Sequence, residues 1–211
     1  MWRFAPAGDG ALLVTLGSTI DPALLAEVVA LDQALTDHPP AGLRATVPAY
    51  ASLLCHVDPE QTTLAEVEGA IRSFEGRLPT TALTGRLMEV ATRYDGADLG
   101  EVASLTGLTA AEVIERHAGR EYLVYCVGFA PGFAYCGELA PDLVVPRKSS
   151  PRLRVPAGSV GIAGRQTGIY AVESPGGWQL IGRTDARLFD PRAEPPARFK
   201  PGDRIRFVPT R

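Results

Sequence analysis

Hydrophobic positions in the first part of the chain alternate between strand-like runs and helix-like spacing. The apolar run from Ala11 to Gly17 predicts a strand, and Asp21 is a favourable N-cap for the helical pattern of leucine and valine that follows. Residues 47–58 read VPAYASLLCHVD and predict a second strand, after which Thr63 begins another helical pattern. Helices that cover one face of a sheet bury such patterns economically, so we predict a small α/β domain over residues 1–84.

The pattern changes from Gly85 onward to short apolar segments separated by glycine and proline. These segments are RLMEVATRY, EYLVYCVGF, GSVGIAG, GIYAVE, WQLIGRT and DRIRFVP. Many short strands with frequent turns are typical of a barrel or sandwich, because closure protects the strand edges. A helical insertion is predicted over residues 98–117, where Thr109 and Glu112 have the spacing of a capping box. We therefore predict an α+β protein in which residues 85–211 form a β-barrel domain.

Composition and charge narrow the classes of partner. The chain has 211 residues, and its formal charge of -3 lacks the positive field that binding to a phosphate backbone requires. The helical insertion resembles a helix-turn-helix, yet its second helix offers Glu112 and Glu115 against Arg116. No apolar run in the sequence approaches the roughly 20 residues of a membrane span. We expect neither nucleic acid nor membrane as a partner, and a cytoplasmic location.

The cysteines and histidines do not indicate a metal site. They are scattered along the chain and contain no Cys-x-x-Cys pair: Cys55, Cys126, Cys136, His38, His56 and His117. We expect no metal site, and we expect buried free thiols. His117 stands at the end of the helical insertion, where it either interacts with terminal carbonyls or serves as a general base. Both interpretations stay open at this point.

The stretch GFAPGFAY, residues 128–135, suggests a functional site more strongly than any other segment. Glycine lets the backbone turn and proline stiffens the turn, so Phe129, Phe133 and Tyr135 are expected to line a binding surface. Downstream, the segment PRKSSPR presents Arg147 and Arg152, whose planar charged guanidinium groups suit carboxylate or phosphate. A solvated loop with two surface arginines is an equal alternative.

Further aromatic and polar residues occur in the same half of the chain. Trp178 follows a Pro-Gly-Gly turn, and Gln166, Tyr170 and Arg183 lie near it in the sequence. Glycine-rich hairpins alone would also produce this pattern. Two aromatic turns together with several arginines are more typical of a concave site, where a few polar groups orient a ligand against apolar walls. We predict such a site in the second domain.

Several motifs taken together resemble one protein family. They are YDGADL, VGFAPGFAY, PRKSSPR, VPAGSVGIAGRQTGIY and SPGGWQLIGRT, and they occur in the family order over nearly the whole chain. The family is that of the 5-oxoprolinase B subunit, also called allophanate hydrolase subunit 1, and it includes the kinase inhibitor KipI. The resemblance implies a carboxyltransferase-type protein with a small N-terminal α/β domain and a C-terminal cyclophilin-like β-barrel.

The resemblance also implies a function and partners, and the candidate site residues come from the patterns described above. It implies a hydrolase subunit of a heteromeric, ATP-dependent 5-oxoprolinase, an enzyme that converts 5-oxo-L-proline to L-glutamate. The subunit is expected to be inactive without its partner subunit. The implied partners are the 5-oxoprolinase C subunit, or allophanate hydrolase subunit 2, and the 5-oxoprolinase A subunit, with ATP shared among them and a small carboxylate or amide as substrate. The catalytic candidates are His117, Arg147 and Arg152. The substrate-binding candidates are Phe129, Phe133, Tyr135, Gln166, Tyr170, Trp178 and Arg183.

Two alternative functions stay open on the sequence alone. The first is a role in urea or allophanate metabolism, because related domains form the carboxyltransferase part of urea carboxylase. The second is a binding module without enzymatic activity that inhibits a histidine kinase. An aromatic groove can hold a peptide as readily as a small acid, so the aromatic residues do not separate these functions.

Overall fold

The computed structural model describes residues 1–79 and 82–210. The chain divides into two compact units, Met1–Thr84 and Gly85–Arg211. The division falls where the sequence pattern changes, and the assignment of the two units as domains stays a prediction. Both units contain helices and strands, which confirms the mixed α/β composition of the predicted fold.

The first unit combines antiparallel strands with two helices. Its elements are β1 (Arg3–Pro6), β2 (Ala11–Thr15), α1 (Pro22–Asp37), β3 (Leu43–Ala49), β4 (Ser52–Val57) and α2 (Leu64–Arg72). The strands pair in the order β1, β2, β4, β3. Local signals start both helices, because the Asp21 carboxylate accepts a hydrogen bond from the Ala23 backbone at 2.7 Å and Thr63 forms a capping box with Glu66.

The single strand predicted over residues 47–58 is a hairpin in the structure. β3 ends at Ala49 and β4 begins at Ser52, so that prediction was wrong. Tyr50, at the turn, has a φ of 46°, in the left-handed region that non-glycine residues rarely adopt. Neither glycine nor asparagine marks this turn, and the apolar pattern therefore continues through it without interruption.

The second unit is rich in strands. Its strands are β5 (Leu87–Thr92), β6 (Glu121–Val127), β7 (Ala134–Gly137), β8 (Arg152–Val155), β9 (Ser159–Ala163), β10 (Gln166–Ile169), β11 (Ser174–Gly176), β12 (Gln179–Arg183) and β13 (Arg204–Pro209). Its helices are α3 (Leu99–Thr106) and α4 (Ala110–Ala118), with a 3₁₀ turn at Pro141–Leu143. The main ladder runs β5, β13, β6, β7, β10, β9, β12, and β5 pairs with β13 in parallel. β8 and β11 form a separate antiparallel pair.

The predicted β-barrel is not closed by strand pairing among the described residues. β5 and β12 stand at the two ends of the ladder, and they are connected by an isolated bridge between Arg93 and Arg183. Beyond this bridge, the Gly96 and Asp98 backbones donate hydrogen bonds to the carbonyls of β12 at 3.2 and 2.9 Å. The chain after β5 turns into α3 at this point, so it leaves the sheet before a full strand pair forms.

The helical insertion predicted over residues 98–117 consists of two short helices. Gly107, with a φ of 72°, ends α3 in the left-handed conformation that glycine adopts readily. Thr109 and Glu112 form the predicted capping box at the start of α4. The helix α3 packs against β12, and α4 packs against β13. Within the described part of the chain, no helix has the length and apolar character needed to span a membrane.

Two hydrophobic clusters of the second unit use opposite sides of the same strand. On β7, Ala134 and Cys136 belong to the larger core, whereas Tyr135 packs with Phe133 and Trp178 in an aromatic cluster. Successive side chains of a strand point to opposite faces of the sheet. This alternation allows one part of the sheet to carry both the core and an aromatic surface.

The capping box of α4 yields a first prediction. The Thr109 hydroxyl accepts a hydrogen bond from the Glu112 backbone at 3.2 Å, and the Glu112 carboxylate accepts one from the Thr109 backbone at 2.8 Å. The substitution Thr109→Ala should lower the free energy of unfolding in urea by about 1 kcal/mol, because an alanine N-cap leaves a helix donor unsatisfied. Thr109→Ser should retain most of the stability. An equal loss in both variants would contradict a capping role for the hydroxyl.

Candidate functional site

A cavity of about 540 Å³ lies in the second unit. This volume falls in the range of roughly 300 to 1,000 Å³ that is typical of small-molecule sites. The cavity is lined by Phe129, Phe133, Tyr135, Pro146, Arg147, Ala163, Gly164, Gln166, Tyr170, Gly176, Gly177 and Trp178. The structure therefore brings together every predicted site residue except His117, Arg152 and Arg183. The functional roles of the lining residues stay predictions.

Phe133 is the centre of the aromatic wall. Its ring centroid lies 4.7 Å from that of Tyr135, 5.0 Å from that of Tyr170 and 5.4 Å from that of Trp178, each in an edge-to-face arrangement. Gly168 permits this close packing, because a Cβ there would lie 3.0 Å from the Phe133 ring and 2.7 Å from the Ala134 carbonyl. The interlocked rings form a rigid apolar wall against which a flat ligand can pack.

Phe129 extends the aromatic wall toward solvent. Its side chain is 67% exposed, and its ring centroid lies 5.8 Å from that of Phe133. Phe129 has a φ of 69°, and non-glycine residues in this region are commonly held by functional constraints. The turn that the sequence predicted around Pro131 thus presents an exposed aromatic ring beside a buried one.

The polar groups of the cavity are neutral hydrogen-bonding groups and one cation. Burial raises the pKa of both Tyr135 and Tyr170, so the two phenols keep their protons at neutral pH. Gly176 leaves room for the Tyr170 hydroxyl, since a Cβ at that position would lie 2.3 Å from it. Gln166 adds a side-chain amide from the start of β10. These groups can donate to and accept from an amide, and they can donate to a carboxylate.

Arg147 supplies the positive charge of the cavity. Its side chain is exposed, and it forms no ion pair within the described residues. The positive charge of Arg147 lowers the pKa values of Tyr135 and Tyr170 and so opposes the larger increase that burial causes. A guanidinium without a carboxylate partner, beside an aromatic wall, is suited to bind an incoming anion.

Arg152 occupies a different position from Arg147, although both belong to PRKSSPR. Its guanidinium donates to the Asp98 carboxylate at 2.6 Å, and Lys148 lies 3.2 Å from the same oxygen. The other oxygen of Asp98 accepts a hydrogen bond from the Leu180 backbone at 2.7 Å. The positive charge of Arg152 is therefore compensated, which favours a structural role over the predicted anion-binding role.

Asp98 is a buried residue that remains ionised. Burial raises the pKa of its carboxyl group, but hydrogen bonds from the Leu180 backbone, Arg152 and Lys148 outweigh burial and hold the pKa below its ordinary value. On the sequence alone, Asp98 stood out only as the start of the helical insertion. The YDGADL motif, which contains Asp95 and Asp98, was the signal that could have indicated partners for the arginines.

Arg183 is also paired with a carboxylate outside the cavity. Two of its nitrogens, Nε and Nη2, lie 3.0 and 2.6 Å from one oxygen of Asp95. Both side chains are largely exposed, so the pair contributes little stability. The geometry gives no support to the predicted contact between Arg183 and a ligand in the cavity.

His117 is buried in the core and linked to two side chains. Its Nδ1 lies 2.7 Å from the Tyr94 hydroxyl, and its Nε2 lies 2.8 Å from the Thr167 hydroxyl. Thr167 directs its proton to the Gly161 carbonyl at 3.2 Å, so Nε2 of His117 donates to Thr167 and Nδ1 accepts from Tyr94. Because burial lowers the pKa of His117 to about 3, the ring is neutral. This environment favours a structural role over the predicted general base.

The neutral His117 predicts a specific dependence of stability on pH. Its pKa of about 3 in the folded protein lies below the ordinary value, so the stability from His117 is full above pH 6.5 and is lost as pH falls toward 3. The wild type should therefore lose more stability than His117→Gln as the pH falls. The difference between their free energies of unfolding should narrow by about 2 kcal/mol between pH 6.5 and pH 5, at ~1.4 kcal/mol per pH unit. Denaturant unfolding at several pH values measures this difference.

A titration that shows no narrowing would contradict this prediction. If the difference between the wild type and His117→Gln is constant from pH 7 to 5, His117 is not a buried neutral group.

The described residues contain no group of three or more histidine, cysteine, aspartate or glutamate side chains that could hold a metal ion.

The number of cations in the cavity indicates whether the triphosphate of ATP could bind there. Arg147 is the one cationic residue in the lining, whereas a triphosphate is normally held by several cations and backbone amides. The cavity therefore fits a single carboxylate better than the phosphates of ATP.

Comparisons with known proteins cover most of the chain. The family model for the carboxyltransferase domain, subdomain C and D, matches residues 2–199. The 5-oxoprolinase B subunit of Bacillus subtilis (strain 168) is 39% identical over an alignment of 221 positions, which covers 98% of this chain and 92% of the relative. The protein of the same name from Escherichia coli O157:H7 is 40% identical over 96% of this chain and 93% of the relative.

Solved and more distant relatives extend this comparison. The crystal structure of TTHA0988 matches 100% of this chain with a TM-score of 0.86 and 38% identity, and the chain spans 40% of that longer protein. A putative urea carboxylase from Emericella nidulans is 28% identical over an alignment of 145 positions, which covers 62% of this chain and 11% of that protein. The family model and the high identity over nearly the full length agree. The chain belongs to the 5-oxoprolinase B-subunit family of carboxyltransferase domains, subdomain C and D.

Proposed function

We propose that this chain is one of the subunits of a heteromeric 5-oxoprolinase, which opens 5-oxo-L-proline to L-glutamate with hydrolysis of ATP. The observation that carries the proposal is the cavity in which Arg147, without a carboxylate partner among the described residues, faces aromatic walls. The identity of 39–40%, over nearly the full length, to proteins named as the B subunit of 5-oxoprolinase supports the same activity. The second unit then serves as a cyclophilin-like scaffold for the cavity.

The geometry suggests how the cavity would bind 5-oxoproline. Arg147 would pair with the carboxylate of the substrate through two parallel hydrogen bonds. The five-membered ring would pack against Phe133 and Trp178, whose rings form the apolar wall. Gln166 and the Tyr170 hydroxyl would hydrogen-bond to the lactam amide, which fixes its orientation.

The remaining chemistry requires partner subunits. Opening a stable lactam requires activation of its carbonyl, and ATP supplies that activation as a phosphoryl donor. The cavity lacks the cations to hold a triphosphate, and His117 is neutral and enclosed. We therefore assign ATP binding and the general base to the companion C and A subunits, and substrate binding to this chain.

A second candidate function is allophanate or urea metabolism. The similarity to a putative urea carboxylase favours it, although that similarity covers a smaller part of the chain at lower identity. Allophanate also carries a carboxylate beside an amide, so Arg147 and Gln166 suit it equally well. Activity of the assembled complex on 5-oxoproline, allophanate and urea separates the two candidates.

The proposal predicts a defined kinetic effect at Arg147. In the complex assembled with its companion subunits, Arg147→Ala should raise the KM for 5-oxoproline in 5-oxoproline-dependent ATP hydrolysis about 10- to 100-fold, which is the loss expected for a charge-assisted hydrogen bond. The kcat should change less, because the carboxylate is bound in both the ground state and the transition state. Arg147→Lys should lie between the wild type and alanine.

Arg154 provides the matched control. It lies near PRKSSPR but pairs with the exposed Glu173 and does not line the cavity. Arg154→Ala should therefore leave KM unchanged. An unchanged KM in Arg147→Ala, within a complex that hydrolyses 5-oxoproline, would overturn the assignment of Arg147.

A further inference from the structure

The loop that carries Arg147 is held on both sides of that residue. On one side, the Pro146 carbonyl accepts a hydrogen bond from the Gln179 amide at 3.3 Å. On the other side, the Lys148 backbone donates to the Gly177 carbonyl at 2.8 Å. These contacts fix the backbone immediately before and after Arg147 and leave its side chain to face the cavity.

The side chains beyond Arg147 converge on Asp98. Lys148 Nζ lies 3.2 Å from Asp98 and 2.7 Å from the more exposed Glu101, and it also donates to the Gln179 side chain at 3.4 Å. Arg152 donates to the same oxygen of Asp98 at 2.6 Å. Both cations that follow Arg147 in the loop are therefore bound to one buried carboxylate.

The Asp98 side chain does not make the hydrogen bond that is usual for an aspartate at the start of a helix. Asp98 occupies the N-cap position of α3, where an aspartate normally accepts a hydrogen bond from the first turn. Its side chain makes no such capping bond, and its oxygens instead accept from Leu180, Arg152 and Lys148. The carboxylate is thus directed to the loop and to β12, at the cost of local helix capping.

The charges of this cluster also balance. Asp98 and Glu101 are acidic, and Lys148 and Arg152 are basic, so the four side chains are neutral together. No acidic residue of the cluster is left to draw Arg147 away from the cavity. Gln179, the remaining hydrogen-bond partner of the Lys148 side chain, is uncharged.

We propose that Asp98 is a positioning residue, which fixes Lys148 and Arg152 so that the guanidinium of Arg147 faces the cavity as an anion-binding group. The identity of the anion, the carboxylate of 5-oxoproline, rests on the proposed function. The placement of Arg147 does not, because it follows from the contacts of the loop. Asp98 acts through Arg147 and does not touch the ligand.

The test is a double-mutant cycle in the assembled complex. Asp98→Asn keeps the size of the side chain and an acceptor for Leu180 but removes the charge. It should raise the KM for 5-oxoproline about tenfold with a kcat change of less than about twofold, because Arg147 loses its orientation. In the background of Arg147→Ala, the same substitution should change KM less than about twofold, because the residue through which it acts is gone. Arg154→Gln is the control for charge loss near the loop.

The outcomes separate positioning from general stability. Equal effects of Asp98→Asn on KM with and without Arg147, or a loss of stability with KM unchanged, would overturn the proposal. If Asp98→Asn does not fold, Lys148→Met tests the same cycle, since Arg152 still pairs with Asp98. Rescue of the KM by Asp98→Glu would support a requirement for the carboxylate.

A readout that does not depend on activity distinguishes this proposal from the proposed function. A wild-type complex that is inactive on 5-oxoproline would contradict the proposed function alone. The hydrogen-exchange rate of the Lys148 backbone amide in the isolated chain then tests whether Asp98 anchors the loop. Faster exchange of this amide in Asp98→Asn, with unchanged exchange in α1, supports the anchoring of the loop, and unchanged exchange overturns it.

Discussion

The buried carboxylate of Asp98 is the constraint on which the arrangement of the cavity depends. An ionised group in the interior is costly unless charged and hydrogen-bonding partners surround it, and Asp98 obtains them from Arg152, Lys148 and the Leu180 backbone. These partners come from the PRKSSPR loop and from β12. Meeting the requirements of one carboxylate therefore joins the start of α3, the loop and the sheet at the point where the cavity forms.

The aromatic wall follows from a second constraint, the alternation of side chains along the strands. Because β7 directs Ala134 and Cys136 to the core and β10 directs Ile169 there, their opposite faces are available for Tyr135 and Gln166. Gly168 then admits the rings of Phe133 and Trp178 at close range. The result is a rigid apolar surface beside a single cation, which is a suitable environment for a small cyclic acid.

Local patterns predicted much of this from sequence, and long-range pairings did not. The capping box at Thr109 and the aromatic turn around Phe133 depend on neighbouring residues, so the spacing of residue types was sufficient. The difference between Arg147 and Arg152 depends on Asp98, which is distant in sequence from both and approaches only Arg152 after folding. The hairpin at Tyr50 escaped prediction because no turn residue marks a backbone held in a left-handed conformation.

The central claim is that Arg147 binds the carboxylate of a small acid at the aromatic wall. The most direct measurement is an experimental structure of the chain assembled with its companion subunits in the presence of 5-oxoproline. The predicted result is a ligand carboxylate about 2.7–2.9 Å from the guanidinium of Arg147, with the ring against Phe133 and Trp178. A ligand bound elsewhere, or an Arg147 paired with a carboxylate of a companion protein, would contradict the claim.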